Sequence, residues 1–597
     1  MPQLRIALAQ VDATVGDLDG NADLIVEWTR RAAEQDAQVV IFPEMMLTGY
    51  PVEDLALRAS FVEASIETIH RVADRLKQEG LGHVAVVTGY LDRRTDLAPR
   101  TGLPVGAPQD AAALLHDGRV VITTAKHHLP NYGVFDEYRY FVPGETLPVF
   151  RMEANGGPVD IAIAICEDLW QDGGPVAVTR RTGASLLAVP NASPYERGKD
   201  YVRLELCQRR AREAGAALAY ANLTGGQDEL VFDGDSILVS AAGEPLARGP
   251  QFEEALIVAD LSLPAATDDG APDGTAVDAG DGSHITVRRV TLPPLSGPGQ
   301  RRELPPPFWT RLDDLAEVYA ALITGTRDYV RKNGFRSVIL GLSGGIDSAL
   351  TATIAADSIG AENVYAVLMP SRISSEHSVT DAEDLVRRQG INAATVPIGN
   401  IVESFTSELK PAGFKDDGLP IENLQSRVRG MILMALSNSN GHLVLTTGNK
   451  SELATGYSTL YGDSAGGFAP IKDVPKTLVW ALARWRNAQQ PDSPPIPENS
   501  ITKPPSAELS PGQMDTDSLP EYDVLDALLS DYVDKDMGAA QLVSAGHDPG
   551  LVERVIRLVD IAEYKRRQYP PGPKISAKNF GRDRRLPITD RWRERVL

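Results

Sequence analysis

A chain of 597 residues, 43% hydrophobic and 23% charged, describes a soluble globular protein with room for about two to four domains, and excludes collagen-like or wholly disordered classes. Its 59 Lys and Arg against 81 Asp and Glu leave a formal charge of −22, a field that repels polyphosphate backbones and argues against a nucleic-acid partner. Two cysteines, Cys166 and Cys207, leave no metal-thiolate cluster to build and fit a reducing compartment. The start MPQLRIALAQVDA alternates like a strand rather than an export signal, and no segment approaches about 18 continuous apolar residues, so the expected location is cytoplasmic with no membrane partner.

In chain order, strands are expected at 4–11, 38–42, 161–165 and 186–189, with a helix from 21 to about 35 between the first two. The runs QVVIF and IAIAI suit strands buried within a layered α/β core. From 264 to 283 the sequence PAATDDGAPDGTAVDAGDGS is small, acidic and rich in Gly and Pro, too polar to order as core, and is expected to be a linker or long surface loop. The strand-like ITVRRV at 285–290 follows without a clear owner, and a proline-rich stretch runs from 293 to 307. Domains are therefore expected at 1–265 and 306–597, separated by an acidic and proline-rich linker at 266–305. In the second, SVILGLSGG, NVYAVLMP, TVPIG and HLVLTTG each end in a polar or glycine-rich turn, as strands of an open parallel sheet do where they present groups to a ligand. No fixed-period repeat is visible.

Three reactive side chains sit just beyond apolar strands in the first half. Glu44 follows QVVIFP, Lys126 follows RVVITTA, and Cys166 follows IAIAI. A cysteine there can attack a carbonyl carbon, a nearby carboxylate can accept its proton, and a lysine can stabilise the oxyanion of the tetrahedral intermediate. The predicted chemistry is acyl transfer through a thioester. A free cysteine after an apolar strand is more often simply core, and that is the reading for Cys207, which sits on a helical pattern in RLELCQRRAREAG.

Taken together, IFPEMMLTGY, KHHLPNYGVFDEYRYF and AICEDLW resemble the nitrilase, or carbon-nitrogen hydrolase, superfamily across about residues 3–265. The resemblance implies an αββα sandwich on a mixed sheet, with Cys166 as nucleophile, Glu44 as general base, Lys126 as oxyanion stabiliser and Glu137 supporting the lysine and the substrate geometry. NASPYERGK and NLTGGQDELVFDGDS are dense in amide, hydroxyl and carboxylate groups. On their own they suit either two polar turns or a pocket for the polar ends of an amino-acid amide. They also resemble the glutamine-binding signature of nitrilase domains fused to ammonia-consuming synthetases, which implies Tyr132, Glu137, Ser193 and Arg197 as glutamine-binding candidates.

The second constellation is SVILGLSGGIDSALTATIAAD. Gly344 and Gly345 open a turn between an apolar strand and an alanine-rich helix, a backbone nest suited to phosphate. No GKS or GKT follows and no GxGxxG is present, so a simple γ-phosphate kinase is disfavoured. SGGIDS resembles the PP-loop of the ATP pyrophosphatase family, whose members adenylate an oxygen and release pyrophosphate. Asp347, Glu452 and Asp463 offer hard oxygens for magnesium or substrate. Arg427 and Arg429 lie on a mixed helix where arginines are usually solvated, yet can offset charge on a dinucleotide. Lys503 in ITKPPSAEL and the basic cluster of EYKRRQYPPGPKIS suit either a segment closing over phosphates or a face for an acidic partner.

ENLQSRVRG, TTGNKSE, YGD, KPPSAEL, DSLPEYDVLD and YKRRQYPPGPK together resemble the glutamine-dependent NAD+ synthetases over nearly the whole chain apart from the acidic linker. That resemblance implies an open parallel-sheet, Rossmann-like second domain of the adenine nucleotide alpha hydrolase type. Ser343, Gly344, Gly345, Ile346, Asp347, Ser348 and Thr447 would bind ATP. Asn423, Arg427, Glu452, Asp463 and Lys503 would bind deamido-NAD+, and Asp347 and Glu452 would hold Mg2+. It implies glutamine, deamido-NAD+ and ATP as substrates, no redox cofactor, and a homo-oligomer between dimer and octamer. GMP synthetase would want a cysteine elbow and a later histidine, and asparagine synthetase an amino-terminal cysteine where this chain has Pro2. A pure binding scaffold would bind nucleotide without turnover.

Overall fold

In the computed structural model, residues 1–98, 101–293, 304–305, 307–592 and 594 are described. Leu4, Ile6 and Leu8 alternate with Arg5, Ala7 and Ala9 along the strand Gln3–Gln10, which gives that strand one face of large apolar side chains. It lies in a six-stranded mixed sheet in the order Ala255–Ser262, Gln3–Gln10, Val39–Ile41, Ala85–Arg93, Pro108–His116, Arg119–Ala125. Neighbours Gln3–Gln10, Val39–Ile41 and Ala85–Arg93 run parallel, and the remaining pairs antiparallel. An eight-stranded sheet runs Pro245–Arg248, Ile237–Val239, Ala217–Asn222, Leu186–Asn191, Gly157–Ile163, Thr146–Ala154, His284–Thr291, Ala276–Asp278.

Alternation decides which side chains meet. Leu4, Ile6, Leu8, Val39, Ile41 and Val87 pack against Phe150, Ile161, Ile163, Leu186 and Ala219 of the other sheet. The opposite face of the eight-stranded sheet, with Leu187, Val189 and Leu218, is covered by Val176 and Val178 of the helix Gly174–Thr182 and by Leu206, Cys207 and Ala211 of Lys199–Ala214. The helices Leu18–Ala33 and Ala59–Gln78 pack outside the six-stranded sheet. This is an αββα sandwich. Each large aliphatic or Phe side chain buried in it contributes about 1.5–3 kcal/mol relative to exposure.

Of the two expectations for the acidic stretch 264–283, linker or surface loop, the surface loop describes most of it, but the stretch lies within the first unit and carries a short strand. Ala276–Asp278 pairs antiparallel with His284–Thr291, which pairs parallel with Thr146–Ala154 and extends the sandwich. Backbone hydrogen bonding to a sheet edge needs no apolar side chain. The carboxylates are moreover met from the same unit, since Arg151 Nη1 lies 2.7 Å from Asp268 Oδ1 and Asp273 Oδ1 accepts the Arg289 amide at 2.8 Å. The chain forms two compact units, Met1–Gln227 with Phe232–Leu312, and Asp228–Val231 with Asp313–Leu597, so ITVRRV belongs to the first. Residues 294–303 of the expected linker lie outside the described residues.

A buried ion-pair network lies under FDGDS. Arg203, fully buried, forks onto Asp233 at 2.9 and 3.0 Å, while Asp235 accepts from Arg248 at 2.7 and 2.8 Å. These two carboxylates of the NLTGGQDELVFDGDS string are thus committed to arginines. Removing one partner of a buried pair leaves an uncompensated charge, so Asp233→Asn is expected to cost about 3–5 kcal/mol of unfolding free energy in urea titrations. A loss below about 1 kcal/mol would show the pair to be dispensable.

The second unit carries a four-stranded, all-parallel sheet in the order Asn392–Thr395, Val364–Leu368, Val338–Gly341, Leu443–Val444. The chain leaves Val338–Gly341 through the helix Ile346–Ile359 to one side of the sheet and later returns to its other side. That reversal opens a crevice at the carboxyl end of Val338–Gly341. The expected TVPIG strand sits a few residues earlier, at Asn392–Thr395, and HLVLTTG supplies only a two-residue strand before turning off. Helices farther along pack a separate core from Leu525, Leu528, Val552, Val555 and Val559. No described helix is long and apolar enough to cross a membrane.

Candidate active sites

Glu44 lies three residues past Val39–Ile41, Lys126 directly past Arg119–Ala125, and Cys166 three residues past Gly157–Ile163. The fold brings them together. Lys126 Nζ is 2.5 Å from Glu44 Oε1, 2.9 Å from Glu137 Oε1 and 3.3 Å from Asp110 Oδ2, with all four side chains buried. The other Glu44 oxygen accepts the Ala192 amide at 2.7 Å, and the Tyr50 hydroxyl donates to Glu137 at 2.8 Å. Cys166 opens a short 3-10 turn with φ +41°, a left-handed backbone that a residue with a Cβ adopts only under strain.

Electrostatics divides the protons among these groups. Burial opposes charge on Glu44, but the Lys126 ammonium and hydrogen bonds, one of them with Cys166, bring its carboxyl below the ordinary range. Burial, reinforced by the Glu44 charge, pushes the Cys166 thiol well up. Burial pulls Lys126 down, but the charges of Glu137, Glu44 and Asp110 outweigh it and keep the lysine cationic. Burial pushes Glu137 up to about 7 against the pull of Lys126, and drives Asp110 well above a normal aspartate. The resting arrangement is thus a thiol beside a carboxylate beside an ammonium. Such a set can move a proton from sulfur to Glu44 as sulfur attacks a carbonyl, with positive charge fixed nearby.

Around this centre the Tyr132 hydroxyl donates to both oxygens of buried Glu167, at 3.0 and 3.2 Å. Ser193 is buried with its amide on Asn222, whereas Arg197 is exposed in the turn before Lys199–Ala214. Cys207 is fully buried among aliphatic side chains, and burial holds its thiol at about 12. Sequence reasoning missed Asp110 and Glu167. Asp110 was detectable as a charge interrupting the apolar strand PQDAAALLH, and Glu167 as the neighbour of the cysteine.

At the carboxyl end of Val338–Gly341 the second unit holds a cavity of about 570 Å³. Ser343, Gly345, Ile346, Asp347, Ser348, Asn423, Arg427, Thr447, Glu452, Asp463 and Lys503 line it, while Gly344 lies behind. Gly344 has φ +79°, and a Cβ there would stand 2.2 Å from the Ser378 carbonyl oxygen, so only glycine closes this loop. The loop is held by Ser343 Oγ on the Gly345 amide and by Ser348 Oγ on the Gly345 carbonyl.

Asp347, in the first turn of Ile346–Ile359, accepts from Asn449 Nδ2 at 2.9 Å and from Lys476 Nζ, and the same ammonium lies 3.5 Å from Glu452. Burial and the Asp347 charge push Glu452 up to about 8. Lys503 is bound to Asp381 and Ser378, at 3.0 and 3.1 Å, and Arg427 donates to the Leu460 carbonyl. Asn423 accepts from Thr459, and Asp463 from Ser426 and the Thr459 amide. Arg429 and Lys565 also line the cavity, both with pKa lowered by burial. Arg566 of the late basic string is instead buried on Glu563 and the carbonyls of Ala454 and Val559. Lys476 escaped notice because DVPKTLVW reads as an ordinary helix start.

Residues 5–269 match the carbon-nitrogen hydrolase family and 318–569 the NAD synthase family. A curated glutamine-dependent NAD(+) synthetase from Thermotoga maritima is 42% identical over 602 residues, covering all of both chains. The chain belongs to the glutamine-dependent NAD+ synthetases. The Acinetobacter baylyi synthetase is 41% identical, covering 99% of each chain. A solved Acinetobacter baumannii glutamine-dependent NAD+ synthetase in complex with ADP is 39% identical over the full length of both chains, with a TM-score of 0.70. The Cytophaga hutchinsonii synthetase, at 22% identity and a TM-score of 0.76, shares the fold. The carbon-nitrogen hydrolase match spans Glu44, Lys126 and Cys166 of the first unit, and the NAD synthase match spans the 343–348 loop and its cavity in the second.

Proposed function

We propose that Cys166 is the glutaminase nucleophile, Glu44 its general base and Lys126 the group that stabilises the oxyanion. The observation that carries this reading is the convergence of Lys126 on Glu44 at 2.5 Å beside a cysteine held in a left-handed backbone. The chain hydrolyses glutamine and uses the ammonia, with ATP, to amidate deamido-NAD+ to NAD+. Sulfur attacks the side-chain amide carbon as Glu44 takes the thiol proton, and ammonia leaves with that proton. Water then cleaves the thioester to glutamate. Glu137 and Asp110 keep Lys126 charged and oriented. Tyr132, Ser193 and Arg197 are assigned to glutamine binding, with Glu167 holding the tyrosine.

In the second unit the nicotinate carboxylate attacks the α-phosphorus of ATP, pyrophosphate leaves, and ammonia displaces AMP from the acyl-adenylate. Residues 343–348 and Thr447 are assigned to ATP, and Asn423, Arg427, Glu452, Asp463 and Lys503 to deamido-NAD+. Asp347 and Glu452 would hold Mg2+. They fit it as two hard oxygen donors that already converge on one cation, the Lys476 ammonium, with phosphate oxygens left to complete the shell. When bound, the ion offsets charge on the phosphates. NAD+ is product and no redox cofactor is needed. A homo-oligomer of dimer to octamer and a cytoplasmic location complete the reading.

The reaction is tested by following AMP and NAD+ from deamido-NAD+, ATP and Mg2+ with glutamine or ammonium. Failure with both donors in folded protein overturns it. A second measurement addresses Glu452. With its pKa near 8, the folded protein retains that proton at neutral pH, and the stability gained by keeping it is complete below the ordinary glutamate range and lost as pH rises through about 8. Cation binding must expel the proton. Calorimetry of MgATP binding in buffers of differing ionisation heat should show close to one proton released near pH 7, falling away above about 9 and absent in Glu452→Gln. Equal release in the variant assigns the proton elsewhere.

A further inference from the structure

Directly after Lys126 come two histidines that the glutaminase chemistry does not use. His127 Nδ1 lies 2.7 Å from the Gly144 carbonyl oxygen, and since a carbonyl only accepts, that nitrogen carries the ring proton. In the neutral ring, Nε2 is then a lone pair. Yet it faces Asp281 Oδ2 at 3.0 Å, another acceptor. The Ser283 hydroxyl stands 3.2 Å from the same nitrogen but is only 2.6 Å from Asp281 Oδ1, where its proton is better placed. Lone pair against lone pair is repulsive, and the contact calls for a positive centre.

His128 Nε2 converges on the same Asp281 oxygen at 3.1 Å. His128 is nine-tenths buried, and its Nδ1 faces Asp168 Oδ1 at 3.8 Å. The three ligand atoms lie within 4.8 Å of one another. Metal bonds of 2.0–2.1 Å in a tetrahedron put neighbouring ligands about 3.3 Å apart, close to the two observed separations. The His127 Nδ1–H to carbonyl bond is also the outer contact that metal-bound imidazoles make.

The approach is built into the backbone. Gly173 and Gly174 have φ +83° and +59°, and a Cβ on Gly174 would stand 2.3 Å from His128 Cε1, while one on Gly173 would stand 2.7 Å from the Ala279 carbonyl oxygen. The Gly174 amide donates to that same carbonyl at 2.8 Å. Two glycines thus let both the histidine and the acidic strand's turn dock at one place. Asp281 is held in the turn by Ser283, whose amide and hydroxyl both donate to its Oδ1.

We propose that His127, His128 and Asp281 form a zinc-type divalent cation site in the first unit, with water as fourth ligand. Two imidazoles and one carboxylate select a borderline transition ion over Mg2+, which prefers all-oxygen shells. The bound ion ties the turn at 279–283 to the chain just past Lys126, where the amides of His127 and His128 both donate to Asp168, two residues from Cys166. The site stands apart from the glutaminase and synthetase reactions, and its test does not depend on them.

The full-length chain, stripped with a chelator and kept in excess Mg2+ to fill hard-oxygen sites, is titrated with Zn2+ against a chromophoric competitor. One equivalent should bind per chain. Asp281→Asn and His127→Gln, each checked for native melting, should each weaken that binding by at least about tenfold. Co2+ should give intense tetrahedral visible bands in the wild type that both variants lose. The proposal is overturned if the wild type binds no stoichiometric Zn2+, which assigns the contact to an imidazolium–carboxylate pair. Equal affinity in either folded variant also overturns it, since the metal then sits elsewhere.

Discussion

Cys166→Ala is expected to lower glutamine-driven NAD+ formation by about four orders of magnitude or more, while ammonium-driven formation stays within about twofold of wild type. Loss of an enzyme's nucleophile removes the covalent route, and effects of about 10⁴–10⁶ are typical for such groups. The alternative route, direct attack by water on the glutamine amide, lacks the sulfur nucleophile and the thioester that divides the reaction into two easier steps. Alanine keeps the side chain small at a buried position and inherits the same left-handed backbone, so the fold should tolerate it. The test follows AMP and NAD+ with each donor in turn. Glutamine supporting synthesis in the variant at more than a few per cent would remove Cys166 from the role of nucleophile.

Asp347→Asn is expected to have the complementary signature, with NAD+ formation from glutamine and ammonium falling together by about 10³-fold. The substitution preserves shape and an oxygen for Asn449 Nδ2, but removes the charge that faces Lys476 beside the 343–348 loop. Under the proposed assignment that carboxylate holds the cation that offsets phosphate charge, an effect worth several kcal/mol, and each 1.36 kcal/mol is tenfold in rate. Lys476, relieved of one charged partner, would keep Glu452 and the Trp480 and Tyr522 rings. Labelling of Cys166 by an electrophilic glutamine analogue should be retained, which separates loss of the synthetase site from general unfolding. Ammonium-driven synthesis at near wild-type rate would exclude Asp347 from the ATP and metal set.

Much of this architecture was legible from local pattern. Apolar runs broken by polar turns marked the strands Gln3–Gln10, Val39–Ile41, Leu186–Asn191, Val338–Gly341 and Val364–Leu368 to within a few residues. Their boundaries wandered most where burial is weakest, as at Asn392–Thr395, whose residues are all exposed. Composition left open whether 264–283 was a linker or a surface loop, and missed the short strand Ala276–Asp278, because it reports what a segment can bury. A sheet edge asks instead for backbone partners, which His284–Thr291 supplies.

From the amino-acid sequence alone came the positions of Glu44, Lys126 and Cys166 at strand ends, the SGGIDS turn between strand and helix, and two α/β units of different pattern. These are local properties, set by side-chain periodicity and by the few residues that a tight turn admits. Only the tertiary structure decided that Asp110 joins the carboxylates around Lys126, that Lys476 stands between Asp347 and Glu452, and that Asp281 meets His127 and His128. Each of these contacts joins residues from different elements, so each depends on strand order and loop docking. Inside the fold, burial strips water from such groups and makes their mutual distances decide which of them hold protons and which hold charge.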